Sequence, residues 1–92
     1  MQIKYTKHFL DKIENLFASS EFILRYEKGN FKSGYCVLKE TKIVIVNKYF
    51  PLEGKINALI DIVNELNFDP KDFKEKANQD FLNELRQTSL KF

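Results

Sequence analysis

The chain has one cysteine and one histidine, the side chains most often used for nucleophilic and acid–base chemistry. Cys36 lies within a predicted strand, where Arg25 and Lys42 could supply the nearby cations that a reactive thiol needs. A cysteine in the middle of a strand is more typical of a small, buried apolar residue. We therefore predict that Cys36 is inert. A small-molecule or enzymatic site around Cys36, Tyr26 and Arg25 stays open as an alternative.

His8 and the i, i+4 pair Asp61 and Glu65 are the other candidates for proton transfer or metal binding. No partner nucleophile or carboxylate is identifiable for His8. The two carboxylates share the helix face opposite the apolar stripe, where solvated charges belong. One cysteine excludes an internal disulfide and, with one histidine, the usual His/Cys metal sites. We predict no catalytic, metal-binding or cofactor-binding residue, and so no enzyme.

Cations and aromatic rings interleave along the predicted strands. Residues 1–48 hold nine Lys/Arg against five Asp/Glu, while residues 49–92 hold six against eight, so positive charge gathers in the half that carries the strands. An exposed sheet with cations and rings can bind single-stranded nucleic acid by phosphate contact and stacking, but the net charge is only +2. The same face also suits a protein–protein contact. The candidate interaction residues are Arg25, Tyr26, Lys32, Tyr35, Lys42 and Tyr49.

The first half of the chain is predicted to form one helix and three strands. Residues 6–19 carry Phe9, Ile13 and Leu16 on one helical face, with Thr6 as the N-cap. Residues 21–28 and 31–39 alternate as strands do, and Gly34 indicates a bulge or a close approach by another segment. Residues 42–47 are apolar on both faces, which predicts the most buried strand, or one whose second face is covered by a partner.

The second half is predicted to be helical. Apolar residues recur at helical spacing from Leu52 to Leu66, and Pro51 suits the first turn. Asp69 is predicted as the N-cap of a third helix that could break near Asn78. Short links between the strands favour antiparallel pairing, because a parallel crossover needs a dozen or more residues. We predict an α+β fold with the order α-β-β-β-α-α, in which helices cover one face of a three-stranded antiparallel meander.

Length and composition indicate one domain spanning residues 1–92. The chain is 43% hydrophobic and 30% charged, which is typical of a globular protein. No apolar run approaches the roughly 20 residues of a membrane-spanning helix. The first twenty residues include several charges and therefore lack a signal-peptide apolar block. We expect a cytoplasmic protein with no membrane partner.

Residues 34–66 resemble a group of short uncharacterised bacterial proteins. The resemblance rests on Gly34-Tyr35-Cys36, the hydrophobic strand Ile43–Val46 and the Pro51-Leu52-Glu53 entry into a helix. It covers about a third of the chain and implies no activity, because that group has no established function.

Two functional hypotheses follow from the residues. The leading one is a non-catalytic cytosolic interaction module that self-associates through its sheet, because a small core with an aromatic-rich sheet is often stabilised by oligomerisation. The alternative is single-stranded nucleic-acid binding through Arg25, Lys32, Tyr35 and Lys42.

Overall fold

A computed structural model of the chain describes residues 3–28 and 34–89. That part of the chain contains helices α1 (Lys7–Ala18), α2 (Leu52–Leu66) and α3 (Lys76–Ser89), strands β1 (Ile23–Glu27), β2 (Tyr35–Leu38) and β3 (Ile43–Asn47), and a short 3-10 helix (Pro70–Asp72) before α3. The α+β class and the element order predicted from the sequence are confirmed.

Helix α1 forms as its pattern predicts. The Thr6 hydroxyl accepts a hydrogen bond from the Phe9 backbone N–H at 3.1 Å, so it is the N-cap. The apolar face of α1 is buried, and its Leu16 and Phe17 are fully inaccessible. The N-cap and the apolar spacing therefore predict the helix correctly, and the spacing also predicts which of its faces is buried.

The sheet is mixed, so the predicted antiparallel meander is wrong. Its strand order is β1-β3-β2, with β3 parallel to β1 and antiparallel to β2. The link between β1 and β2 spans residues 28–34, which is enough chain to cover the two strand spacings, about 10 Å, that separate β1 from β2. Strand β3 then returns through a tight turn and fills that gap. The short links limit the distance between the ends of successive strands. They do not require that strands which follow each other in the chain pair with each other in the sheet.

Strand β3 is the centre of the sheet and its most buried strand, as predicted. Val44 and Val46 are fully buried against the helices, while Ile43, Ile45 and Asn47 face the other way and are partly exposed. Both α1 and α2 lie on the Val44 side, where α1 contacts β1 and α2 contacts β3. The opposite side of the sheet is not covered by these two helices.

Gly34 confirms the predicted close approach. Its φ is +83°, a left-handed conformation, and a Cβ there would lie 1.9 Å from Cζ of Phe50. Only glycine fits both the dihedral angle and the space. It lies just before β2 rather than inside a longer strand.

The third helix begins later than predicted. Asp69 caps the 3-10 helix by accepting from the Lys71 N–H, and the chain is extended at Phe73, so the helical run breaks there and not near Asn78. Phe73 instead becomes a core residue with 3% exposure. The break turns the chain so that Phe81 of α3 packs edge-on against Phe9, with ring centroids 5.5 Å apart.

Candidate interaction surface

The side of the sheet opposite α1 and α2 carries an apolar row. Because side chains alternate along a strand, and because Leu24, Tyr26, Tyr35 and Val37 pack on the core, the other residues of each strand share this side. We call it the open face; its members are Ile23, Arg25, Glu27, Cys36, Leu38, Ile43, Ile45 and Asn47.

Three of the open-face side chains lie directly beside one another across the sheet. The register pairs Ile43 with Ile23 on one side and with Leu38 on the other. Ile23 is 59% exposed and Leu38 is 42% exposed, which makes them two of the most exposed large apolar residues in the part of the chain that is described. Ile45 and Cys36 extend this apolar row along the strands.

Oppositely charged pairs border the apolar row. The Arg25 guanidinium lies 2.8 Å from the Glu27 carboxylate, and the Lys42 ammonium lies 2.6 Å from the Glu21 carboxylate. Lys42 lowers the pKa of Glu21 because its ammonium donates a hydrogen bond to the ionised carboxylate and because its positive charge lies close by. Two of the three basic residues predicted to face a partner, Arg25 and Lys42, therefore each have an acidic neighbour.

Tyr26 lies on the helix side of the sheet. Its hydroxyl donates a hydrogen bond to Glu14 of α1, and the Lys55 ammonium lies 5.1 Å from its ring centroid. Burial, followed by the hydrogen bond to Glu14 and the Glu14 charge, raises the Tyr26 pKa far above its usual range. Tyr26 is therefore a neutral donor that ties β1 to α1.

The remaining predicted interaction residues are spread over the molecule. Tyr35 packs against the core on the helix side, where burial and then the charges of Asp61 and Glu65 raise its pKa. Tyr49 is 66% exposed in the segment after β3, with the Lys48 ammonium 5.3 Å from its ring centroid. Lys32 lies outside the described residues.

The sheet separates Arg25 from Tyr35, two of the residues that the nucleic-acid hypothesis combines. Of the residues named for it, Arg25 is on the open face and Tyr35 is on the opposite face. Stacking and phosphate contact by one strand of nucleic acid need both kinds of group on one side. Single-stranded nucleic-acid binding therefore stays a prediction from the sequence, tested by oligonucleotide binding at about 50 mM salt.

Cys36 is partly exposed on the open face, without the partners considered for it. Ile45 of β3 separates it from Arg25, so these two residues are two strand spacings apart, about 10 Å. Tyr26 lies on the other side of the sheet. An enzymatic or small-molecule site at Cys36 also stays a prediction. Within residues 3–28 and 34–89, no cluster of three or more His, Cys, Asp or Glu side chains could hold a metal ion.

The sequence does not single out Ile23 and Leu38 as interaction residues, although it predicts that the strand containing Ile43 is apolar on both faces. Ile23, Leu38 and Ile43 look like core residues in the sequence, because each belongs to an apolar stretch. Alternation alone divides each strand into two sets, and the signal that would have selected them is the register that places these three side by side.

A groove of about 500 Å³ runs beside β1. It is lined by Glu14 and Ala18 from α1, by residues 20–24 and by Tyr26. A second cleft of about 560 Å³ lies between the segment 19–22 and the connection from α2 to α3. The two cavities share residues 20–22 and so meet at the segment that joins α1 to β1.

Comparisons with protein-family models, with curated proteins and with solved structures found no match to this chain. In the described ranges, none of the helices is both long enough and apolar enough to cross a membrane. The resemblance of residues 34–66 to short bacterial proteins therefore stays a prediction.

Proposed function

We propose that this protein is a non-catalytic, cytoplasmic interaction module that self-associates through the open face of its sheet. The observation that carries the proposal is the apolar row of Ile23, Ile43 and Leu38, whose outer members are largely exposed. Contiguous apolar surface of this kind is typical of a contact site. Covering it would bury the second face of a strand that is apolar on both faces.

The charges around the row favour a second copy of the chain as the partner. A two-fold interface brings the same patch from both copies together, so a contact of one residue with a second is repeated with the two copies exchanged, and residues away from the axis meet other residues. Arg25 and Glu27 carry opposite signs on one strand of the open face, so a two-fold contact can place each beside its opposite in the other copy. A face that carried charges of only one sign would repel the same face of a second copy.

Sedimentation velocity with a charge-introducing variant tests the proposal. We expect the wild-type chain to form a dimer at micromolar concentration and Leu38→Lys to weaken it at least ten-fold, about 1.4 kcal/mol, because a buried lysine lacks a partner in the apolar row. Tyr49→Lys is the matched control, since Tyr49 is exposed but lies off the open face. A wild-type chain that stays monomeric at about 100 µM would overturn the proposal.

A further inference from the structure

We propose that the edge of β1 binds an extended, lysine-rich segment of another protein, which joins the sheet as a fourth strand. The proposal uses the backbone of β1 and the groove beside it, and it does not rest on self-association. Strand addition of this kind takes its affinity from main-chain hydrogen bonds and its specificity from alternate side chains.

The outer edge of β1 presents backbone groups that the described sheet does not use. The Ile23 N–H donates to the Lys42 carbonyl at 2.9 Å, and the Glu27 carbonyl accepts from the Lys48 N–H at 3.1 Å. In a parallel ladder alternate residues point to the same neighbour, so Ile23, Arg25 and Glu27 point towards β3. The backbone groups of Leu24 and Tyr26 consequently point away from the sheet, and in the described part of the chain β1 pairs with β3 alone.

The groove beside this edge sets the chemistry of the added strand. Its charged lining residues are Glu14 and Glu21, and neither lysine nor arginine lines it. Glu14 accepts a hydrogen bond from Tyr26 and Glu21 one from Lys42, in each case through Oε2, and a carboxylate has a second oxygen that can accept from a further ammonium. Ala18 contributes only a methyl group to the α1 side of the groove. An extended segment with lysine at alternate positions would place each ammonium towards these carboxylates while its backbone pairs with β1.

The same charges disfavour β1 of a second copy as the occupant. Pairing two β1 edges would bring two acidic grooves together, with Glu14 and Glu21 of each copy on the same side. In the antiparallel register that places Leu24 opposite Tyr26, the two copies of Arg25 would also face each other. Like charges directly opposite destabilise a strand pair.

Fluorescence anisotropy with a blocked, labelled peptide of about seven residues, in which lysine and valine alternate, tests the proposal. We expect salt-sensitive binding to the full chain and no binding of the same peptide with glutamate in place of lysine. Two further peptides carry N-methyl groups either on every lysine or on every valine. Because only alternate N–H groups face β1, one of the two N-methylated peptides should lose binding and the other should keep it.

Variants of the protein test the groove. Glu14→Gln and Glu21→Gln should each weaken peptide binding about two- to five-fold at low salt, since each removes one carboxylate charge but keeps an oxygen that can accept from Tyr26 or Lys42. Glu53→Gln is the matched control, because Glu53 is an exposed carboxylate on α2 outside the groove. Absence of binding at low salt, equal binding of the acidic peptide, or an equal effect of both N-methylation patterns would each overturn the proposal. A dimer that weakens in Glu14→Gln without any peptide would instead assign the groove to a second copy.

Discussion

Tyr26 is an aromatic residue that the sequence places among the cations of the sheet and that the structure places against α1. Its residue type is compatible with both positions, because a tyrosine has an apolar ring and a polar end. The hydrogen bond to Glu14 decides between them, since it fixes the hydroxyl on the helix side. Burial first, and then this hydrogen bond, raises the pKa of Tyr26, which gives a pH-dependent test.

The stability of the chain should fall at alkaline pH partly because of Tyr26. Its pKa is higher in the folded than in the unfolded chain, so its contribution is present below about pH 10 and is lost as the pH rises above that value. We expect urea unfolding between about pH 8 and pH 11.5 to show a shallower loss for Tyr26→Phe than for wild type. Tyr49→Phe, at an exposed site, should follow the wild type. Parallel curves for wild type and Tyr26→Phe would contradict this assignment.

Gly34 should be the least replaceable glycine of those described. Gly34→Ala combines a left-handed φ with a contact on the Phe50 ring, and we expect a loss of about 2–4 kcal/mol in the free energy of unfolding. Gly54→Ala is the matched control, because it also approaches Phe50, at 3.3 Å, but lies in a helix that favours alanine. Urea denaturation measures both. Equal losses of unfolding free energy in the two variants would show that the left-handed φ of Gly34 does not decide which residue this position accepts.

At the scale of elements, helices could be predicted from the sequence better than the sheet. A single face of α1 is apolar, so spacing alone gives both the helix and its buried side. In β1 both alternating sets contain apolar residues: Leu24 on one side and Ile23 on the other. The pattern therefore gives a strand without its orientation, and the open face could not be assigned. The strand order depends on pairing between distant residues, which local periodicity does not contain.

A buried amide joins α3 to α1 and to the residue that follows α1, in addition to the contact between Phe81 and Phe9. Asn78 is 6% exposed; its Oδ1 accepts from Asn15 at 3.3 Å and its Nδ2 donates to Ser19 at 3.2 Å. We expect Asn78→Ala to lower the free energy of unfolding by about 1 kcal/mol, because two part-buried hydrogen bonds are lost while alanine favours the helix. Asn83→Ala, at an exposed position of α3, should be neutral or slightly stabilising. Thermal unfolding of the two variants compares them, and equal stabilities would show that Asn78 does not hold α3.

At the scale of the whole molecule, the aromatic residues join the elements on one side of the sheet, and within residues 3–28 and 34–89 neither α1 nor α2 covers the other side. Phe68, between α2 and α3, makes edge contacts with Phe17, Phe22 and Phe73 at centroid distances of 5.7, 6.1 and 5.8 Å. These rings connect α1, the start of β1 and the connection to α3. The same packing leaves two kinds of unused surface on the sheet: the apolar open face and the outer edge of β1.

Ile23 belongs to both surfaces, but the residues changed to test them lie on opposite sides of β3, so we expect the two surfaces to act independently. Leu38 lies on β2, on the far side of β3 from the β1 groove, so Leu38→Lys should weaken the dimer at least ten-fold while the affinity for the lysine–valine peptide changes less than about two-fold. Conversely, Glu14→Gln should weaken peptide binding and leave the sedimentation coefficient unchanged. The double variant should show both effects with no additional loss. Sedimentation velocity and anisotropy on the same four proteins measure the coupling. A peptide that binds only the dimer would show that the open face and the β1 edge form one composite site.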